Sequence, residues 1–125
     1  MTRLLKMPKV YIGQTSLQLR LCIEQDITNV YNRILIRFKR PNGTMGYWDA
    51  EVLDSVRGII AFNMNSNAPT FNDVGWWTIW AYIFFKDGSV SVGDAVRIEV
   101  FEEGESYIPY PYGLISSIGE GEDQS

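Results

Sequence analysis

Residues 76–85 read WWTIWAYIFF and run straight into Lys86-Asp87-Gly88. A run rich in aromatic and β-branched residues, closed by a tight-turn sequence, is the mark of a strand entering a hairpin. Alternation sorts its side chains into two rows. One holds Trp77, Ile79, Ala81, Ile83 and Phe85; the other holds Trp76, Thr78, Trp80, Tyr82 and Phe84. Thr78 is the one polar side chain in either row. An antiparallel strand with a solvated side should be polar there, so the second row needs an explanation. The stems of Arg37, Lys39 and Arg97 are one cover for it. Docking of another subunit is the other, since Trp and Tyr are enriched at interface hot spots. We take the row of Trp76, Trp80, Tyr82 and Phe84 as outward and as an interface.

Working outward, the rest of the chain has the same grain. Leu17, Leu19, Leu21 and Ile23 alternate with Gln18, Arg20 and Cys22, which reads as a strand with one buried side. A short strand, Val10 to Ile12, precedes it and stops at Gly13. Tyr31 to Arg40 places Ile34, Ile36 and Phe38 on one side, and Pro41-Asn42-Gly43 then turns the chain. Thr44 to Leu53 runs back as the second strand of that hairpin. Ile59 to Met64 is a further strand, and Asn65 to Val74, polar and holding Pro69, reads as a long connection between sheets. Ser89 to Val92 and Ala95 to Phe101 complete the set. About seven or eight short strands with regular turns predict an all-β, two-sheet antiparallel sandwich of the immunoglobulin-like kind.

Length and composition agree. The chain has 125 residues, enough for one domain, and its 46% hydrophobic content is enough for a core. We place the sandwich at residues 10–103, with an N-terminal arm over 1–9 and an extended C-terminal arm over 104–125. Pro109 and Pro111 favour extended chain in that last segment, whose tip is acidic. The net charge of −4 comes without a basic block, which argues against nucleic acid as a partner. The opening MTRLLKMPKV has no apolar run of the roughly 7–15 residues a signal peptide needs. No stretch approaches the roughly 18 apolar residues of a membrane span. A soluble protein made in a cytoplasm is the expectation.

Four stretches carry a resemblance: VYIGQTSLQLRL, ILIRFKRPNGTMGYWDAEV, RGIIAFNM and DVGWWTIWAYIFFKDGSVSVGDAVRIEVFE. In their order and turn signals they resemble the small immunoglobulin-like domains of tailed-bacteriophage virion proteins. The N-terminal domain of baseplate upper proteins, and its short stand-alone relatives, are the examples. The likeness covers roughly residues 10 to 103 and rests on structural motifs. It implies a virion component in a tail, baseplate, neck or capsid-surface position, with other virion proteins as partners and a homo-oligomer left open. It brings no catalytic residue.

Two further surfaces bear on partners. Tyr107, Tyr110 and Tyr112, with Ile108, Leu114, Ile115 and Ile118, put apolar groups on a segment too short for its own core. Such an arm can lace onto a neighbour, for instance by adding a strand to an open sheet edge; a tail that never orders is the plainer reading. The aromatic row could instead stack on a host-surface glycan, helped by Asn63, Asn65, Asn67 and Asn72. Chemistry has little to work with. The chain has no His and one cysteine, Cys22, so no disulfide can form within it and zinc has almost no ligands. Cys22 reads as a small buried apolar residue. Asp54, Asp73, Asp87 and Asp94 sit where turns favour Asp, and no carboxylate pair suggests a glycosidase. Calcium on loop carboxylates is left open, although no D-x-D-x-D-G run occurs. No enzyme and no cofactor are expected.

Overall fold

A computed structural model describes residues 2–5, 9–64 and 71–104. Those residues form ten strands and no helix: β1 (Arg3–Leu4), β2 (Val10–Tyr11), β3 (Leu17–Cys22), β4 (Tyr31–Lys39), β5 (Met45–Asp49), β6 (Glu51–Asp54), β7 (Ile59–Met64), β8 (Gly75–Phe85), β9 (Val90–Val92) and β10 (Val96–Phe101). They make two sheets. The small one has the order β1-β3-β7-β6, and the large one β2-β10-β8-β4-β5, with β9 beside the far half of β8. Written in the usual letters, β1-β3-β7-β6 is the A-B-E-D sheet of an immunoglobulin-like sandwich and β10-β8-β4 its G-F-C sheet. The expected fold class is therefore the observed one. Among the described pairings only β2 with β10 is parallel.

The sequence patterns explain these elements. β8 is the longest strand and lies between β10 and β4. Its Trp77, Ile79, Ala81 and Ile83 are all buried, so the inward row is the expected one. Phe85 is only partly buried, packed against the rim of the core. Ile34, Ile36 and Phe38 of β4 face the same interior, opposite Leu17, Leu19, Leu21, Ile60 and Met64 of the small sheet. Cys22 is buried on the outer side of β3, its thiol 3.7 Å from the carbonyl oxygen of Arg57.

Three details depart from the expectation. The stretch Thr44–Leu53 is two strands, because the chain leaves the large sheet after Asp49 and enters the small one at Glu51. Gly46, Trp48, Ala50 and Val52 keep one parity throughout, so alternation continues across the crossing and conceals it. Arg3 and Leu4, assigned to an N-terminal arm, pair with Cys22 and Leu21 as an edge strand. The strand count is higher than seven or eight because of this crossing and the two-residue strand β1. The C-terminal arm lies outside the described residues.

At one end of the core the aromatic rings gather. Trp48 stacks on Phe62 across the gap between sheets, with centroids 5.2 Å apart and planes 12° apart. Phe38 lies 4.4 Å from Trp48 and 5.3 Å from Trp77, and Phe71 meets both indoles edge-on. The Trp77 indole nitrogen donates to the carbonyl oxygen of Asp73 at 2.8 Å, so this buried polar atom is satisfied. The Arg40 guanidinium caps the cluster, 4.9 Å from the Phe38 ring and 5.6 Å from the Trp77 ring. Gly46 makes the room: a Cβ there would sit 2.5 Å from the tip of the Phe38 ring.

Turns use local carboxylate chemistry. Asp26 accepts from the backbone N–H and hydroxyl of Thr28, and Asp87 does the same with Ser89. These bonds hold both carboxyls below their ordinary value of 3.8, with the side-chain hydroxyl the largest cause in each case.

Two outcomes follow for stability. Ile36→Ala and Ile79→Ala, both at fully buried sites, are expected to cost about 2–5 kcal/mol each in urea unfolding. A loss under about half a kcal/mol at both sites would mean that neither fills the core. Because a depressed carboxyl stabilises the fold only while ionised, the Asp26 and Asp87 contribution is present above the unfolded pKa. It fades as pH falls through the lower folded value. Thermal melts of Asp26→Asn/Asp87→Asn should therefore lie below wild type at neutral pH, and the gap should close below about pH 4; a gap that stays constant into acid would refute this.

Candidate docking face

Strand register fixes what stands on the outer side of the large sheet. Along β8 that side carries Trp76, Thr78, Trp80, Tyr82 and Phe84. Across the ladder, β4 sets Arg33 beside Phe84, Leu35 beside Tyr82, Arg37 beside Trp80 and Lys39 beside Thr78. β5 then adds Asp49, Tyr47 and Met45 next to Leu35, Arg37 and Lys39. On the other flank, β10 places Arg97 beside Thr78 and Glu99 beside Trp76, while β9 places Val92 and Val90 beside Tyr82 and Phe84. Phe101 and Tyr11 close that flank, with ring centroids 6.2 Å apart.

The face is apolar and cationic together. Trp76 is 48% exposed, Tyr47 52%, Met45 53% and Val92 60%. Leu35 is buried on this outer side and does not belong to the interior cluster, so the face has a small apolar layer of its own. Guanidinium planes lie over the rings: Arg97 is 4.7 Å from the Trp76 centroid and Arg37 4.8 Å from that of Tyr82. Each such contact is worth about 0.5–1 kcal/mol at an exposed site. Arg33 pairs with Asp49 at 2.9 Å, and the hydrogen bond to that carboxylate raises the Arg33 pKa. Arg37, Lys39 and Arg97 form no ion pair with a described residue. Their charges are free to meet an anion.

The small sheet is different. Its outer side carries a hydrogen-bonded row in which Gln18 donates to Asn63 at 2.9 Å and Asn63 donates to Glu51 at 3.3 Å. That is the ordinary polar surface of a solvated antiparallel sheet, and it makes the aromatic face the unusual one.

Of the residues expected at an interface, Trp76, Trp80, Tyr82 and Phe84 stand together on this face, and Tyr107, Tyr110 and Tyr112 lie outside the described residues. Of the two accounts of the aromatic row, the structure bears on the side-chain cover. Arg37 and Arg97 lie over rings of that row, as expected, and Lys39 is exposed. Tyr47 and Met45 were missed, because only the hairpin register brings them beside Arg37 and Lys39; counting back from the Asn42-Gly43 turn would have found them. Of the asparagines named for a glycan, the two described ones do not converge here. Asn63 belongs to the row on the opposite sheet, Asn72 accepts from Arg40 at 3.3 Å, and Asn65 and Asn67 lie outside the described residues. Among the described residues no group of three or more His, Cys, Asp or Glu is placed to hold a metal ion.

No family model matches the chain, and no curated protein does. Among solved structures, the chain is similar to CopC from Methylosinus trichosporium OB3b. That match has a TM-score of 0.49 and 13% identity, and covers 86% of this chain and all of the other.

The two adjacent indoles separate core from face. Trp77→Ala is expected to cost about 3–5 kcal/mol, as buried Trp truncations do. Trp76→Ala should cost about 1 kcal/mol or less, the scale of one exposed cation–π contact. Denaturant titration of both variants checks this, and equal losses would refute the assignment of the two faces.

Proposed function

We propose that this chain is a non-enzymatic structural component of a tailed-bacteriophage virion, docking on other virion subunits through the outer face of its large sheet. The observation that carries the docking role is the contrast between the two outer surfaces. One sheet carries a polar row, while the other presents Trp76, Trp80, Tyr82, Tyr47 and Met45 beside Arg37 and Arg97, which have no ion-pair partner among the described residues. Large aromatic side chains with arginine form the usual centre of an interface. The virion setting rests on the resemblance of residues 10–103 to phage immunoglobulin-like domains, which act by geometry and need no catalytic group. The fold alone would suit many roles.

Incorporation is the test. Particles purified from lysates of the phage that encodes the chain are expected to contain it. A Trp80→Ala/Tyr82→Ala chain, supplied to a phage lacking the wild-type gene, should be depleted from particles about tenfold or more, as loss of hot-spot residues predicts. Its melting temperature should fall by only a few degrees. Particles without the wild-type chain would sink the virion reading, and normal incorporation of the variant would sink the face as the docking surface.

A further inference from the structure

Charge is divided unevenly along this chain. Residues 1–104 hold eleven Lys and Arg against eleven Asp and Glu, so the whole net charge of −4 belongs to residues 105–125. That segment carries Glu105, Glu120, Glu122 and Asp123 and no cation, together with Tyr107, Tyr110, Tyr112 and four aliphatic residues. Its chemistry complements the docking face. The face offers aromatic planes and the cations Arg37, Lys39 and Arg97, none of which has an ionic partner among the described residues.

Position and reach favour the same pairing. β10 delivers the chain to Phe101, itself on the rim of this face, and register sets its Glu99 beside Trp76. The described chain then turns at Gly104, which has a positive φ of 84°. The segment therefore starts at the Trp76 end of the face. The eleven residues of β8 span about 36 Å at roughly 3.3 Å per residue. Twenty-one residues reach about 70 Å when extended, enough to cross the whole face. A tether this short gives an effective concentration in the millimolar range, which favours the chain's own segment over a neighbour's.

We propose that residues 105–125 cover the outer face of the large sheet of their own chain. Their tyrosines and aliphatics lie on the aromatic row, and their carboxylates meet Arg37 and Arg97. This rests on the docking role given to the face above, and not on the virion setting.

The tryptophans supply the readout. Trp48 is 2% exposed and Trp77 0%, so acrylamide quenching of the full chain reports on Trp76 and Trp80. Wild type is to be compared with full-length Tyr107→Ser/Tyr110→Ser/Tyr112→Ser and with Glu120→Gln/Glu122→Gln/Asp123→Asn. The quenching constant is expected to rise about twofold in the tyrosine variant, since cover at millimolar effective concentration is removed. The charge variant at low salt should behave as wild type does at about 0.5 M salt, where exposed charges are screened. Protection should not depend on protein concentration. Equal quenching in all three chains would overturn the proposal while leaving the incorporation test to judge the docking role. Protection that grows with concentration alongside a dimer mass in light scattering would also overturn it, by placing the segment on a second copy.

Discussion

The contact of Trp48 with Phe62 joins the two sheets, and much of the architecture is arranged around it. Trp48 comes from β5 of the large sheet and Phe62 from β7 of the small one, and their rings lie nearly parallel. Trp77 lies nearly parallel to Trp48, with centroids 6.5 Å apart, and Phe38 and Phe71 pack against both indoles. Five large rings at one end leave little freedom in how the sheets approach each other, because interiors are close-packed and large rings tolerate few alternatives. The glycine at 46 and the Arg40 cap are consequences. The first gives the Phe38 ring its place, and the second covers the ring edges with a cation that hydrogen-bonds to Asn72 and Thr44. Immediately after Trp48 the chain changes sheets at Ala50, whose N–H donates to Ile34 at 3.0 Å. The residue that bridges the sheets thus stands where the backbone crosses between them.

Much of this was legible in the residues. Alternation in Trp76–Phe85 and Leu17–Ile23 gave both strands and their buried rows, because each has one apolar face to hide. The turns at Asn42-Gly43 and Asp87-Gly88 were legible from residues that accept tight-turn geometry. What escaped was non-local. The crossing at Ala50 leaves parity unchanged, so a period-two reading passes over it. Arg3–Leu4 has too few residues to show a period. The candidate site divided in the same way: Trp76, Trp80, Tyr82 and Phe84 were visible as one strand's second row. Tyr47, Met45, Val90 and Val92 joined them only through register with other strands.

The two outer surfaces also show why an aromatic face can persist on a stable fold. Its rings are not left bare: Arg37 and Arg97 lie over Tyr82 and Trp76, and Leu35 is buried beneath its neighbours. Arginine serves this purpose better than lysine, since its flat and weakly hydrated guanidinium stacks on a ring and still points donors outward. Lys39, on the same side, stays in solvent. A surface built this way is less prone to non-specific association than bare rings would be, yet it keeps directional donors for a chosen anion.

Edges decide which route association can take. The described sandwich ends in β1 and β2, of two residues each, in β9, of three, in β6, whose register with β7 shifts between Val52 and Asp54, and in β5. Very short and irregular edges are poor templates for an added strand. β5 is the longest of these at five residues, and its chain departs into the other sheet directly afterwards. β1 and β2 cover only two residues each of β3 and β10, so among the described residues the remainder of those two strands also borders an open edge. The broad face is eleven residues long on β8 and flanked by β4, β5, β9 and β10. That breadth is what a face-on association could bury and an edge-on one could not.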